Sequence, residues 1–286
     1  MTEGDSHCRD LIARFDRDRF LCTQFALAER RADLFALYAF NLETAGVRES
    51  VSEPLVGQMR LKWWYDALDA IVAGMPPKHP VAVPLSETVR RYGLPRADLE
   101  TLIEARSDDL EAEQPSNLPQ LEAYAERSSA PLLRLSLAVL GGGGRDAHDL
   151  CRSLAIAWAL TGHLRALPYH AAQRRLYLPS ELCREKGLDH EALFTRRTDS
   201  PAPTGLTAVV RTLVDVTEGH LETLRGDQGT IPPPARSLLL YGTLARHYLG
   251  LIAAVGYDPY RMQIGRPGPG VAGLLKLYWA GLRRRL

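Results

Sequence analysis

Between positions 163 and 177 the chain gathers side chains able to handle an anion: Arg165, Arg174 and Arg175, with Tyr177 beside them and His163 and His170 seven residues apart. Planar guanidinium forks can clamp a phosphate without a metal. The same three arginines can instead close a structural cluster of salt bridges, and the sequence leaves both readings open. His163 and His170 lie two helical turns apart on one face, but catalytic zinc needs three protein ligands. With no third ligand in view, they read as packed pocket histidines, and no metal is expected.

Acidic residues collect at Asp66 and Asp69 and in the run Asp108-Asp109-Leu110-Glu111-Ala112-Glu113. Ionised side chains default to solvent, so both groups read as solvated helix faces. Trp63, Trp64, Tyr38 and Phe40 suit an apolar cavity wall, although aromatic residues at helical spacing are more often plain core. Cys8, Cys22, Cys151 and Cys183 show neither zinc-site nor redox-pair spacing and read as reduced, buried thiols. The run Gly141 to Gly144 follows a helix rather than a strand and lacks the Lys-Ser/Thr of a phosphate cradle.

The elements that must position these residues are helices. Apolar residues recur at three and four over 6–16 and 18–30, and then at Leu34, Leu37, Tyr38, Asn41, Ala45 and Glu49. Further helices are predicted over 56–73, 81–92, 96–112 and 118–140, and from Leu154 into the arginine-bearing stretch, where Pro168 should distort the last turn. A short helix is predicted from Pro179, long ones over 204–224 and 234–254, and a basic one over 271–286 with Leu274, Leu275, Tyr278 and Leu282 on one face. Asp199 to Thr204 and residues 265–270 read as loops. No alternating strand pattern and no repeat appear. An all-α chain of this kind packs best as a single-domain multi-helix bundle around a central cavity, over residues 1–286, with 1–14 a loose segment.

At 286 residues and 45% hydrophobic content, the chain can bury a core without staples. A net charge of +1 gives no general attraction to nucleic acid, so none is expected as a partner. The polar, acidic start resembles neither a secretory signal nor a transit peptide, and no apolar run approaches the ~18 residues of a membrane span. A cytoplasmic location follows, at most peripheral at the inner face of the membrane. Such contact would run through the basic C-terminal helix, although cations there can simply offset the helix dipole.

The run Leu160-Thr161-Gly162-His163-Leu164-Arg165 through Tyr177-Leu178-Pro179, with Tyr38-Ala39-Phe40 before it and Gly256-Tyr257-Asp258-Pro259 after it, resembles the squalene/phytoene synthase family. The resemblance implies the all-α isoprenoid-synthase fold. It also implies two aspartate-rich boxes that hold magnesium and the substrate diphosphate, and here both depart from the family pattern. The first window, Asn41 to Glu49, has Ala45 at its leading position and Arg48 beside its one carboxylate, Glu49. The second has Ala166 and His170, flanked by Tyr169. A methyl group cannot ligate magnesium, and a hard cation prefers oxygen over imidazole.

Tyr38, Asn41, Ala45, Arg48 and Glu49 are thus expected to line one side of a degenerate pocket, and His163, Arg165, Ala166, Tyr169 and His170 the other. Arg165, Arg174, Arg175 and Tyr177 remain for a phosphate. The details are most similar to the branch of complex I assembly factors, in which the boxes are also altered. That branch implies a non-catalytic protein that assists respiratory complex I, with a complex I subunit, an assembly protein or an isoprenoid-like ligand as partner and no cofactor. The alternative is an active prenyl transferase with an atypical diphosphate site, in which case magnesium would be needed.

Overall fold

A computed structural model describes residues 3–111, 113–197, 200–226, 230–262 and 268–283. Asp199, part of the 265–270 loop, and Arg284, Arg285 and Leu286 lie outside the described residues. Thirteen α-helices follow one another, with no strand among the described residues: α1 Glu3–Phe15, α2 Arg17–Thr23, α3 Arg31–Ala45, α4 Pro54–Val72, α5 Ala82–Tyr92, α6 Arg96–Glu111, α7 Leu118–Val139, α8 Arg145–Ala172, α9 Ser180–Glu185, α10 His190–Phe194, α11 Leu206–Gly226, α12 Leu240–Ala254 and α13 Gly270–Arg283. Their buried apolar side chains form one contiguous cluster from Cys8 to Leu277.

Helix α3 lies at the centre because its sequence is apolar nearly all round: Leu34, Phe35, Ala36, Leu37, Tyr38, Ala39 and Phe40 are all buried. Full burial of each large side chain among them contributes roughly 1.5–3 kcal/mol. Around α3 pack α1, α5, α6 and α7, while α8 packs against α7, α11 and α12. Asn117 caps α7 by accepting from the Gln120 amide, and Gly93, at φ 59°, ends α5 in the left-handed conformation.

Several elements differ from the sequence reading, each for an identifiable reason. Residues 3–15 are a packed helix rather than a loose segment, because Cys8 and Ile12 are fully buried on its inner face. The stretch 18–30 is not one helix. It breaks at Gln24, and Arg31 spans the break by donating to the Gln24 and Ala26 carbonyls. Helix α3 stops at Ala45, capped by Gly46, so Glu49 sits in a separate 3-10 turn and not on the Asn41/Ala45 face. Helix α8 runs on through Pro168 to Ala172. Residues 233–239 are 3-10 helix, so the α-helix expected from 234 begins at Leu240. All four cysteines are free and buried.

Candidate functional site

Helix α6 turns Leu99, Leu102, Ile103 and Leu110 into the core, and the same stripe carries Arg106 and Asp109 inward. Asp109 is only 8% exposed. Its carboxylate accepts from the Tyr124 hydroxyl at 2.5 Å, from the Tyr177 hydroxyl at 2.9 Å and from the Arg106 guanidinium at 3.4 Å. Arg106 also donates to the Ser128 carbonyl of α7 at 3.2 Å. The acidic run is therefore not uniformly solvated, and burial of Asp109 corrects that reading. The signal lay in the three- and four-residue spacing of Asp109 from Arg106 and Ala105 along the buried stripe.

The other half of this network comes from the end of α8. Arg174 lies in the left-handed region, at φ 57°, and the Arg175 amide donates back to the His170 carbonyl at 3.0 Å. That turn closes the helix and redirects the chain. Arg175, 7% exposed, donates to the Asp109 carbonyl at 3.2 Å and to the Tyr177 hydroxyl at 2.7 Å. The Tyr177 ring stacks on Tyr124 at 5.5 Å and on His163 at 4.4 Å, and its edge meets His170 at 4.9 Å. Loss of hydration pushes the His163 imidazole down to about 3, helped by His170. Loss of hydration and then Arg175 push His170 down to about 4. Both rings are neutral at physiological pH, and the His170 Nδ1 is buried without a partner.

Glu49 links the first window to this network. Although its side chain reaches solvent, partial loss of hydration raises its carboxyl above the ordinary value, Asp109 adds to the rise, and Arg175, Arg106 and Arg48 oppose it. Asn41 is buried with its Oδ1 unpartnered, and the Arg48 Nε is likewise buried and unpartnered. Ala45, Ala166 and Gly162 are each reachable by solvent, and a Cβ added at Gly162 would meet nothing within 4 Å. Open space therefore borders the Gly162–Ala166 face of α8. Tyr38 does not line that space: it is 2% exposed, in the core against Tyr241 and Ser136. Tyr169 is about half exposed, with its ring against His170.

The three arginines do not converge. Arg165 donates to Asp18 at 3.0 Å and stacks on Tyr248, whose hydroxyl also donates to Asp18 at 2.7 Å. Arg174 pairs with Glu191 near the surface and lies over Phe194. Only Arg175 joins Tyr177. The salt-bridged reading describes this arrangement, and the four residues form no common phosphate clamp. Asp66 and Asp69 are exposed and pair with Lys62 and Arg96. Trp64 packs on Phe40 in the core, while Trp63 borders a surface groove of about 760 Å³ with Phe15, Leu42, Glu43, Val47 and His79.

A magnesium cluster does not fit this donor set. The positions that the sequence resemblance marks for metal ligands offer two methyl groups, an imidazole and one carboxylate, Glu49. The buried carboxylate of Asp109 is already taken by two phenols and a guanidinium. Among the described residues, no three His, Cys, Asp or Glu side chains come together as a metal site. A polar cleft of about 480 Å³ opens over the network, lined by Asp108, Glu113, Gln114, Tyr124, Arg127 and Tyr177.

Residues 12–268 match the squalene/phytoene synthase family. The chain is 32% identical over 281 residues to NADH dehydrogenase (ubiquinone) complex I, assembly factor 6, of Bos taurus, covering 98% of this chain and 83% of that protein. It is 30% identical over 160 residues to the presqualene diphosphate synthase of Rhodopseudomonas palustris, covering 56% of this chain and 57% of that enzyme. Squalene synthase HpnC from Alicyclobacillus acidocaldarius has the same fold, with a TM-score of 0.78 at 22% identity over 90% of this chain and 95% of that one. The all-α isoprenoid-synthase fold and the sequence match together make the chain a member of the squalene/phytoene synthase family.

Proposed function

We propose that this protein is a non-catalytic member of its family that assists the assembly of respiratory complex I, acting as one domain in the cytoplasm. The reading rests chiefly on the assembly factor 6 similarity, which extends over 98% of the chain. The interior supports it. Where a synthase would need several oxygen ligands for metal-bridged diphosphate, the site presents Ala45, Ala166 and neutral His170, and Asp109 is held by Tyr124, Tyr177 and Arg106. Metal ions contribute several kcal/mol to charge stabilisation in such ionisations, and a loss of about 5 kcal/mol slows a step by three to four powers of ten. No cofactor is assigned. The partner is a complex I subunit or another assembly protein, recognised on the outer surface.

Deleting the gene in its native host tests this reading. NADH:ubiquinone oxidoreductase activity in isolated membranes should fall while squalene-type isoprenoids are unchanged. Loss of isoprenoids with normal complex I would overturn it. The second reading, an active prenyl transferase, is favoured by the similarity to presqualene diphosphate synthase and by the open space beside Gly162. The same deletion separates the two.

A further inference from the structure

Helix α13 is apolar on two opposite sides. Gly273 and Leu277 are buried and Leu274 and Ala280 partly buried, and this side packs on α12. The inner seam is tight. A Cβ at Gly273 would approach the His247 ring to 2.7 Å, and one at Gly281 would approach the Phe25 ring to 2.3 Å. The side facing away carries Val271, Leu275, Tyr278, Trp279 and Leu282, which are 76, 67, 57, 57 and 82% exposed. At helical spacing these five residues fall within a stripe roughly 100° wide. The sequence reading placed Leu274 on this face. The structure instead turns Leu274 inward and adds Val271 to the outer stripe, with Trp279 flanking it as the sequence suggests.

Charge decides what covers the stripe. After Asp258 no carboxylate side chain follows in the sequence, whereas Arg261, Arg266, Lys276, Arg283, Arg284 and Arg285 do. By helical spacing, the exposed Lys276 falls at one edge of the apolar stripe. A second copy of the chain would bring like charges together, which opposes self-association through this face. Apolar and aromatic side chains flanked by cations match an anionic bilayer surface, where rings sit at headgroup depth and lysine and arginine meet lipid phosphate. No described helix is long and apolar enough to cross a membrane. Contact would therefore run along the surface.

We propose that the outer face of α13, centred on Leu275, Tyr278 and Leu282, docks this protein onto an anionic lipid surface. The inference rests on this surface alone and is independent of the role in complex I assembly. Binding is reversible and salt-sensitive, since it joins one short apolar stripe to a few cations.

Flotation of the full chain with vesicles tests it, comparing phosphatidylcholine alone with phosphatidylcholine containing phosphatidylglycerol. The expected result is recovery with the anionic vesicles at low salt, weakening as salt rises, and little recovery with the neutral ones. Joint Leu275→Ser, Tyr278→Ser and Leu282→Ser substitution should lower the partition coefficient at least tenfold with only a small shift of the thermal melt, because Leu275 and Leu282 lie outside the core and Tyr278 loses only its 5.4 Å edge contact with the Phe25 ring. Joint Arg283→Ser, Arg284→Ser and Arg285→Ser substitution should lower it about 100-fold on anionic vesicles, at about fivefold per cation. No binding by wild type, equal binding to both vesicle types, or indifference to both sets of substitutions would overturn the proposal. A dimer in sedimentation velocity that the Leu275→Ser, Tyr278→Ser, Leu282→Ser variant abolishes, without vesicle binding, would assign the face to self-association and overturn it as well.

Discussion

Tyr177 donates a 2.9 Å hydrogen bond to Asp109 across 68 residues of sequence, and that bond ties the segment after α8 to α6 beside His163 and His170. Arg106 and Arg175 flank the pair, so the carboxylate neutralises buried cations. Two guanidinium groups thus share one carboxylate, and the Arg106 Nε and His170 Nδ1 beside it are buried without a partner.

Removing the shared carboxylate should therefore be costly. Asp109→Ala leaves the Arg106 and Arg175 guanidinium groups facing no side-chain carboxylate, although the Ser128 and residue-109 carbonyls still accept from them, and is expected to lower stability by about 3 kcal/mol. Tyr177→Phe removes one hydroxyl from the network and should cost about 1 kcal/mol. Urea denaturation measures both. A loss below about 1 kcal/mol for Asp109→Ala would mean that the network contributes little.

The two histidines predict an acid-side weakness. Each has an ordinary value of 6.5 and is pushed down in the folded chain, to about 3 for His163 and about 4 for His170. The unfolded chain thus binds protons that the folded chain refuses. Stability present above pH 6.5 is lost as pH falls towards 4 and 3. His163→Phe keeps the ring stack on Tyr177 and should flatten the slope of stability against pH between 6.5 and 4. An unchanged slope would show that the imidazole is not dehydrated as described.

Glu43 acts with the opposite sign. Burial beside the Trp63 groove raises its carboxyl from 4.5 to about 7. The folded chain therefore holds this proton more tightly than the unfolded chain, and stability falls as pH rises from 4.5 through 7. The Glu43→Gln variant should gain on wild type in thermal melts at pH 8 and show little advantage at pH 4.5. An equal difference at both values would contradict the assignment.

Much of this architecture is legible in the chain. The three- and four-residue apolar spacing of α4, α5, α6 and α7 marks helices whose ends the structure moves by only a residue or two. Asp109 was hidden because a carboxylate in an acidic run defaults to solvent, and its register with Leu102, Ala105 and Arg106 was the signal that it points inward. Glu49 appears in step with Asn41 and Ala45, yet the helix ends at Ala45 and a 3-10 turn resets the phase. Arg165 is near Arg174 and Arg175 in sequence, but its partner Asp18 is 147 residues away. Spacing along one helix could not reveal that commitment.

Restoring ligand chemistry piecemeal should not restore a synthase. Joint Ala45→Asp, Ala166→Asp and His170→Asp substitution adds oxygen ligands and is expected to raise magnesium affinity, read by isothermal titration. Turnover should still fail, because the ligands and their supporting hydrogen bonds must be arranged together and the Asp109 network occupies their neighbourhood. Robust prenyl transfer by the triple variant would show that the rest of the site is still built for catalysis.

The most direct measurement is made on the purified wild-type chain, supplied with magnesium and either farnesyl or geranylgeranyl diphosphate, with release of inorganic diphosphate followed over time. A non-catalytic family member predicts no magnesium-dependent release above the rate without protein. Release at the turnover of an ordinary prenyl transferase, at least ~1 per second, would contradict the account.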